Sequence, residues 1–447
     1  MSSRWADTEA DQAESQRRKK EKEEKRRLKL QKQQQQAEQA AAAEESSDRP
    51  TKRRRLSNGS NDKTSPPPPE ARKLLRFDDT TWTPCRHTSN FEILNPIEEG
   101  SYGLVSRAKD IATSSIVALK KVKIDTQHQD GFPITALREI AILQRARHPN
   151  IVHLREVLTG PSPTDTVLVM DFLEHDLKTL QEDMPEPFLA SEIKTLLRQL
   201  TSALSFLHEN FILHRDLKTS NILLSNRGHL KLADFGMSRY IPPPHAPLTQ
   251  LVVTLWYRAP ELLLGTETYG PEIDMWSLGC IFGELLLKDP ILQGKNEVEQ
   301  LAKIFALCGL PTEKSWPAFW RLPNAKSLRV PRDAGVKATG VLRTTFPFLT
   351  AEGVDLLSEL LSLNPERRLS AGEVLRHAYF REAPKPKPME LFPTFPSKAG
   401  QEKRRRKASP SAPKRGDARA VRDVDFSGIF ANREEEQAGA GFQLRVA

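Results

Sequence analysis

The sequence predicts an α+β domain of two lobes, a small β-rich one followed by a larger helical one, set between two basic, disordered tails. Three observations point there. The chain carries a net charge of +9, but residues 1–90 and 381–447 each carry +6, which leaves residues 91–380 at −3. Apolar patterning is confined to that middle block. Within it the apolar period changes from that of strands to the three- and four-residue steps of helices. Strands followed by helices are the pattern of a domain with segregated layers.

Taken in order, the stretch from Glu9 to Glu45 is rich in Lys, Glu, Gln and Ala and has almost no apolar stripe, so it reads as a solvated helix at most. A basic cluster, Lys52-Arg53-Arg54-Arg55, and an extended proline run, Pro66 to Pro69, follow it. Phe91-Glu92-Ile93-Leu94 starts a strand, and Leu104 to Ala108 and Ser115 to Leu119 read as two more. Pro133 opens a helix that runs towards Gln144, as proline suits a first helical turn. Val167-Leu168-Val169-Met170 is a buried-strand run. From Ala190 the pattern is helical, with Ile193, Leu196, Leu197, Leu200, Leu204 and Leu207 on one stripe. These readings divide the domain into an N-lobe over 91–170, a hinge over 171–175 and a C-lobe over 176–380. The tail, 381–447, is Pro-rich, then basic at Lys403-Arg404-Arg405-Arg406-Lys407, then rich in Gly and Ala.

Cys85, Cys280 and Cys308 lie far apart without a CxxC, so neither a disulfide framework nor a zinc site is expected. No apolar run approaches the ~18 residues of a membrane span, and the N-terminus has no apolar signal core. A soluble, intracellular protein is expected. The −3 core has no aromatic–basic interleaving, so direct nucleic-acid binding by the core is not expected. The basic clusters near Lys52 and Lys403 read as nuclear-import signals, which places the protein in the nucleus, with the cytoplasm the second compartment.

Several loops carry chemistry. Glu98-Glu99-Gly100-Ser101-Tyr102-Gly103 lies between two predicted strands, and its glycines allow a tight turn whose N–H groups approach phosphates. Taken alone it is also an ordinary hairpin turn. Lys120 ends the apolar strand Val117-Ala118-Leu119-Lys120 and needs an anionic partner; Glu139, on the helix from Pro133, is the candidate. His214-Arg215-Asp216-Leu217-Lys218-Thr219-Ser220-Asn221 is a dense polar loop between apolar stretches. Asp216 can accept the proton of an attacking hydroxyl, Lys218 can neutralise a transferring phosphoryl, and Asn221 can hold a metal ion. Asp234-Phe235-Gly236 supplies a second ligand for Mg²⁺, which prefers few carboxylates plus phosphate oxygens and waters. In this order, with Ala259-Pro260-Glu261 after them, the elements are the protein-kinase signature set. No G-x-x-x-x-G-K-[ST] sequence is present.

Residues 91–380 resemble the cyclin-dependent kinases, and Pro133-Ile134-Thr135-Ala136-Leu137-Arg138-Glu139 looks like the PITSLRE class. Glu174-His175-Asp176-Leu177-Lys178, Val252-Val253-Thr254-Leu255-Trp256-Tyr257-Arg258 and the terminal Gly439-Ala440-Gly441-Phe442 agree. The resemblance implies a cyclin-dependent serine/threonine kinase that uses ATP and Mg²⁺, with the Pro133–Glu139 helix binding a cyclin of the L type. It implies nuclear work on transcription, pre-mRNA splicing or the cell cycle. It makes Met170 the gatekeeper and Asp171-Phe172-Leu173 the hinge that holds adenine. Ile97, Val105, Ala118 and Leu223 would pack on the ring, and Glu98 to Leu104 and Asp176 would complete the ATP site. Thr249 aligns with an activating phosphosite, filled by an activating kinase and gathered by Arg138, Arg215 and Arg239. Ser101 and Tyr102 align with inhibitory phosphosites. Val253 and Arg258 match a pocket for Ser-Pro and Thr-Pro substrates. Asp274 would anchor the catalytic loop, and Arg368 would pair with Glu261. Glu139 is expected to swing in to hold Lys120 when the cyclin binds.

One position departs: Glu98 stands where the family has its first loop glycine, and ATP binding is expected to weaken somewhat. The rival from another class is a kinase-fold scaffold without phosphoryl transfer. The completeness of Lys120, Glu139, Asp216, Asn221 and Asp234 argues against it.

Overall fold

The structure, a computed structural model, describes residues 84–99, 103–124, 132–162, 165–241, 248–249, 253–328 and 341–396. A five-stranded antiparallel sheet forms the first lobe: β1 (Phe91–Glu99), β2 (Gly103–Asp110), β3 (Ile116–Val122), β4 (Leu154–Thr159) and β5 (Thr166–Asp171), in the order β1-β2-β3-β5-β4. β1 is an edge strand, which is why it tolerates Pro96, and its ladder shifts register on either side of that residue. One helix, α1 (Ile134–Leu143), with Pro133 at its N-cap, lies between β3 and β4 in the chain.

Pairing decides what each sheet face carries. Lys120 pairs with Val105 and Leu168, and Ala118 pairs with Arg107 and Met170. Cross-strand partners share a face, so Val105, Ala118, Lys120 and Met170 stand together. The opposite face buries its own cluster of Phe91, Ala108, Val117, Leu119, Leu158, Val167 and Val169.

Strand pairing runs through Asp171, opposite Val117, and resumes at β6 (His175–Asp176). The unpaired crossing is thus 172–174, shorter than the expected 171–175. Beyond it come α2 (Leu177–Asp183), α3 (Ala190–Glu209), β7 (Ile212–Leu213), β8 (Ile222–Leu224), β9 (Leu230–Leu232), β10 (Arg239–Tyr240), α4 (Pro260–Leu263), α5 (Glu272–Leu287) and α6 (Glu297–Cys308). α3 buries the predicted stripe from Ile193 to Leu207. α5 is buried almost all round, the signature of a helix at the centre of a core.

The fold passes both expected boundaries. Arg86 pairs with Glu156 at 2.6 Å and Asp110 at 3.1 Å, and its guanidinium lies over the Phe91 ring. Residues 381–396, expected as disordered tail, pack on the C-lobe. Lys387 pairs with Glu192 at 2.8 Å, Glu382 meets the buried Lys194, and Phe392 and Phe395 contact Phe188. Proline density suggested disorder, but two phenylalanines bury enough surface to hold the segment. Phe392→Ala is expected to cost about 2 kcal/mol, the burial value of one large apolar side chain. A thermal melt checks it; an unchanged Tm would mean that the segment does not brace the lobe.

Candidate active site

Lys120 is buried and pairs twice with Glu139, at 2.7 and 2.9 Å, and once with Asp234, at 3.1 Å. Burial alone would lower its pKa, but the two carboxylates outweigh burial and hold it above the ordinary lysine value. Burial likewise works against the Asp234 carboxylate, and Lys120 overrides it, so Asp234 sits below its usual range. The resemblance implied that Glu139 must swing in; here α1 already holds the inward position and the pair is made.

The catalytic loop hangs from α5. Asp274, fully buried in that helix's first turn, accepts the backbone N–H groups of His214 and Arg215, both at 2.9 Å, and meets His208 Nε2 at 3.1 Å. Burial would raise its pKa, but the His208 bond leads the opposing effects and keeps it low. Arg215, Asp234 and Val253 have φ of 65°, 61° and 65°. A left-handed backbone at three non-glycine residues is strained, and such strain collects where surrounding contacts fix a working geometry. His214 is buried, which depresses its pKa and keeps it neutral, and its ring meets Phe235 at 5.0 Å.

Both carboxylate oxygens of Asp216 are engaged. Lys218 Nζ reaches Oδ2 at 2.7 Å, and Thr254 Oγ1 donates to Oδ1 at 2.9 Å. Asn221 Nδ2 donates to the Asp216 carbonyl at 2.8 Å and to Oδ2 at 3.2 Å. Asn221 thereby commits its amide nitrogen, and its oxygen stays available. Together with Asp234 it forms a sparse set of hard oxygens, which fits a divalent cation shared with phosphate oxygens.

The residues expected to face the nucleotide are placed by the sheet register. Val105, Ala118 and Met170 share the Lys120 face; Leu223, on β8, pairs with Asp176. Ile97 and Leu104 are exposed at the facing ends of β1 and β2. Asp176 caps α2 by accepting from Thr179 N at 2.8 Å. Leu173 lies in the unpaired crossing. A methyl at Gly103 would overlap the Lys121 carbonyl, so this glycine is needed for β2 to approach β3. Gly100, Ser101 and Tyr102 lie outside the described residues, as do the side chains of Glu98 and Glu99 and the basic clusters of both tails.

The phosphosite reading is only partly assembled. Thr249 is exposed, and its carbonyl accepts from the Tyr269 hydroxyl at 2.7 Å; that hydroxyl also receives Arg215 Nη1 at 3.0 Å. Arg138 is exposed on α1, and Arg239 lies on β10. Among the described residues, no hydrogen bond joins either to Thr249. Arg215 and Arg239 both act on the Tyr269 hydroxyl that bonds to Thr249, and the expected gathering of the three arginines is around a phosphate on that threonine. Asp274 and the Arg368–Glu261 pair, at 2.7 Å, stand as expected.

Four roles were not read from the sequence. Thr254 grips Asp216. Tyr269 joins Arg215 to Thr249. Asp171 adds ion pairs to Lys231 at 2.6 Å and Arg155 at 3.1 Å, which tie the hinge to both lobes. Glu284 accepts from Thr219 at 2.8 Å and Tyr257 at 2.7 Å. Thr254 and Tyr257 lay inside a quoted motif, which was the available signal.

The protein kinase domain family matches residues 91–380. The chain belongs to the protein kinase family, within the cyclin-dependent kinases of the PITSLRE class. It is 54% identical over 315 residues to a fission-yeast protein named serine/threonine-protein kinase ppk23, covering 70% of this chain and 78% of that one. It is 48% identical over 316 residues to cyclin-dependent kinase 11 of Dictyostelium discoideum, covering 71% and 87%. It is 45% identical over 370 residues to human cyclin-dependent kinase 11B, covering 81% of this chain but only 46% of that protein.

Proposed function

We propose that this chain, bound to an L-type cyclin, transfers the γ-phosphoryl group of ATP to serine or threonine followed by proline on nuclear proteins. The observation that carries the reading is the Asp216 cluster together with the Lys120–Glu139–Asp234 pairings, with Lys218 close enough to act on the Asp234 carboxylate. Asp216 orients a substrate hydroxyl and takes its proton; Lys218, 2.7 Å away, balances charge on the transferring group. Lys120, held by Glu139, positions the nucleotide phosphates. Asn221 and Asp234 would hold Mg²⁺, which supplies charge neutralisation on the phosphate oxygens.

Proline selection follows from Val253. Its carbonyl is already taken by Arg258, so a residue after the target serine that lacks an N–H loses nothing there. Cyclin binding is supported by α1, whose Ile134 and Leu137 are 63% and 53% exposed beside the buried Glu139. Two apolar side chains left in water on one short helix suit a protein partner. Thr249 would be the target of an activating kinase. The tail clusters support nuclear residence, and their deletion should shift the protein to the cytoplasm while transfer by the purified complex persists.

Phosphate incorporation into a Ser-Pro peptide tests the activity. Incorporation is expected with ATP, Mg²⁺ and an L-type cyclin together, and a large drop when either cyclin or Mg²⁺ is left out. A complex that stays silent with all three present would leave the scaffold reading in place.

A further inference from the structure

We infer that Glu297, at the start of α6, is a specificity-positioning residue that enforces proline after the phosphorylated serine by holding Arg258 on the Val253 carbonyl. This rests on the Ser-Pro reading proposed above and adds a residue from a separate helix. Glu297 Oε1 takes Arg258 Nη1 at 2.6 Å, and both side chains are largely buried. The other side of the same guanidinium turns to Val253: Nη2 donates to its carbonyl at 3.1 Å and Nε at 3.4 Å. A planar, forked guanidinium gripped on one edge presents its other edge in a fixed direction. Val253 has φ of 65° and donates its own N–H to the Arg215 carbonyl at 3.0 Å, so its carbonyl direction is set by the backbone and then capped by Arg258.

The platform beneath this contact is built rather than incidental. Trp256 Nε1 donates to the Gly294 carbonyl at 2.9 Å. Gln300 Nε2 donates to the Trp256 carbonyl at 3.3 Å, and Gln300 Oε1 accepts from Gly294 N at 2.9 Å. A side chain at Gly294 would collide with the Gln300 backbone, so the approach of the two segments requires glycine. Asn296 caps α6 by accepting from Glu299 N at 2.8 Å. The helix start is thus stapled to the segment from Val253 to Arg258, and Glu297 is delivered to Arg258 from a fixed position. A glutamate in a first helical turn also interacts well with the helix dipole, and that alone would explain its presence. It would not explain a 2.6 Å contact to the side chain that caps Val253.

The consequence is a rule enforced by a missing acceptor. A substrate residue other than proline brings an N–H to a site whose nearby carbonyl is occupied. Leaving that N–H unpaired is far more costly than lacking it. Without Glu297 the guanidinium can leave, the carbonyl becomes free to accept, and the penalty on non-proline residues shrinks.

Two peptides that differ only in the residue after serine, proline or alanine, provide the test on the full chain with its cyclin. The readout is the ratio of kcat/KM values for the two peptides. Wild type should favour proline strongly. Glu297→Ala should reduce the ratio by roughly tenfold and Glu297→Gln, which keeps the shape and loses the charge, by a smaller factor. Thermal melts accompany both, and the isosteric Gln variant reads the effect if the Ala variant folds poorly. Parallel losses on both peptides, with the ratio intact, would make Glu297 merely structural and sink the inference alone. A wild-type ratio near one would sink the Ser-Pro reading and the inference with it.

Discussion

Asp216→Asn is expected to reduce phosphoryl transfer by at least roughly a hundredfold while the protein stays folded. The carboxylate has two separable jobs. Structurally it accepts from Lys218, Thr254 and Asn221. In the proposed chemistry it accepts the proton of the substrate hydroxyl. An asparagine keeps the size and one acceptor oxygen, which can face Lys218. Its NH₂ then faces Thr254, whose hydroxyl can rotate to accept. The loop is also suspended from Asp274 through two backbone bonds that the substitution does not touch. A stability change of about 1 kcal/mol follows. The proton acceptor and the local negative charge are gone, and neither neighbour can stand in, because Lys218 is a cation and the Asn221 amide is not basic. Initial rates on a Ser-Pro peptide with cyclin, ATP and Mg²⁺, beside a thermal melt, measure both halves. Equal rates for the two proteins would remove Asp216 from the chemistry and with it the enzyme reading.

The sequence made some parts of this site legible because they are local. Asp216, Lys218 and Asn221 sit within six consecutive residues, and Asp234-Phe235-Gly236 is a tripeptide. The lobes were legible for a related reason: a strand or helix declares itself by its own period. What escaped were side chains whose partners lie far along the chain on elements without a period. Thr254 meets Asp216 across 38 residues and Glu284 meets Thr219 across 65. No local pattern marks either as more than a loop hydroxyl or a core-helix carboxylate. Asp171 was expected to serve through its backbone, yet its side chain bonds to Arg155 and Lys231. The segment 381–396 was hidden by composition: prolines outnumber its aromatics, but Phe392 and Phe395 decide its fate. Glu139 was expected to be mobile, and its inward position follows from the two buried bonds to Lys120.

Glu284→Gln is expected to flatten the pH dependence of stability, with roughly 3 kcal/mol at stake across the window. Glu284 sits near the C-terminal end of α5, buried, with Thr219 and Tyr257 donating to its two oxygens. Burial pushes its carboxyl from 4.5 up to about 7; the two hydroxyl bonds and Lys178 pull the other way and do not prevail. The folded chain therefore holds a proton that the unfolded chain releases between those values. Stability is fully present below pH 4.5, falls as pH rises towards 7, and is level above it. Other groups add their own slopes, so the diagnostic is the difference between variant and wild type. Gln does not titrate; it accepts from one hydroxyl and donates to the other, which can turn. The variant should be less stable than wild type at pH 5, and the gap should narrow or reverse by pH 8. Denaturant unfolding at the two pH values measures it. Parallel curves would show that Glu284 ionises as freely in the fold as outside it. The location gives the result functional weight: Thr219 lies between Lys218 and Asn221, and Tyr257 lies between Thr254 and Arg258. A single carboxyl that changes charge near neutrality thus joins the loop proposed to perform the transfer to the segment proposed to receive the substrate.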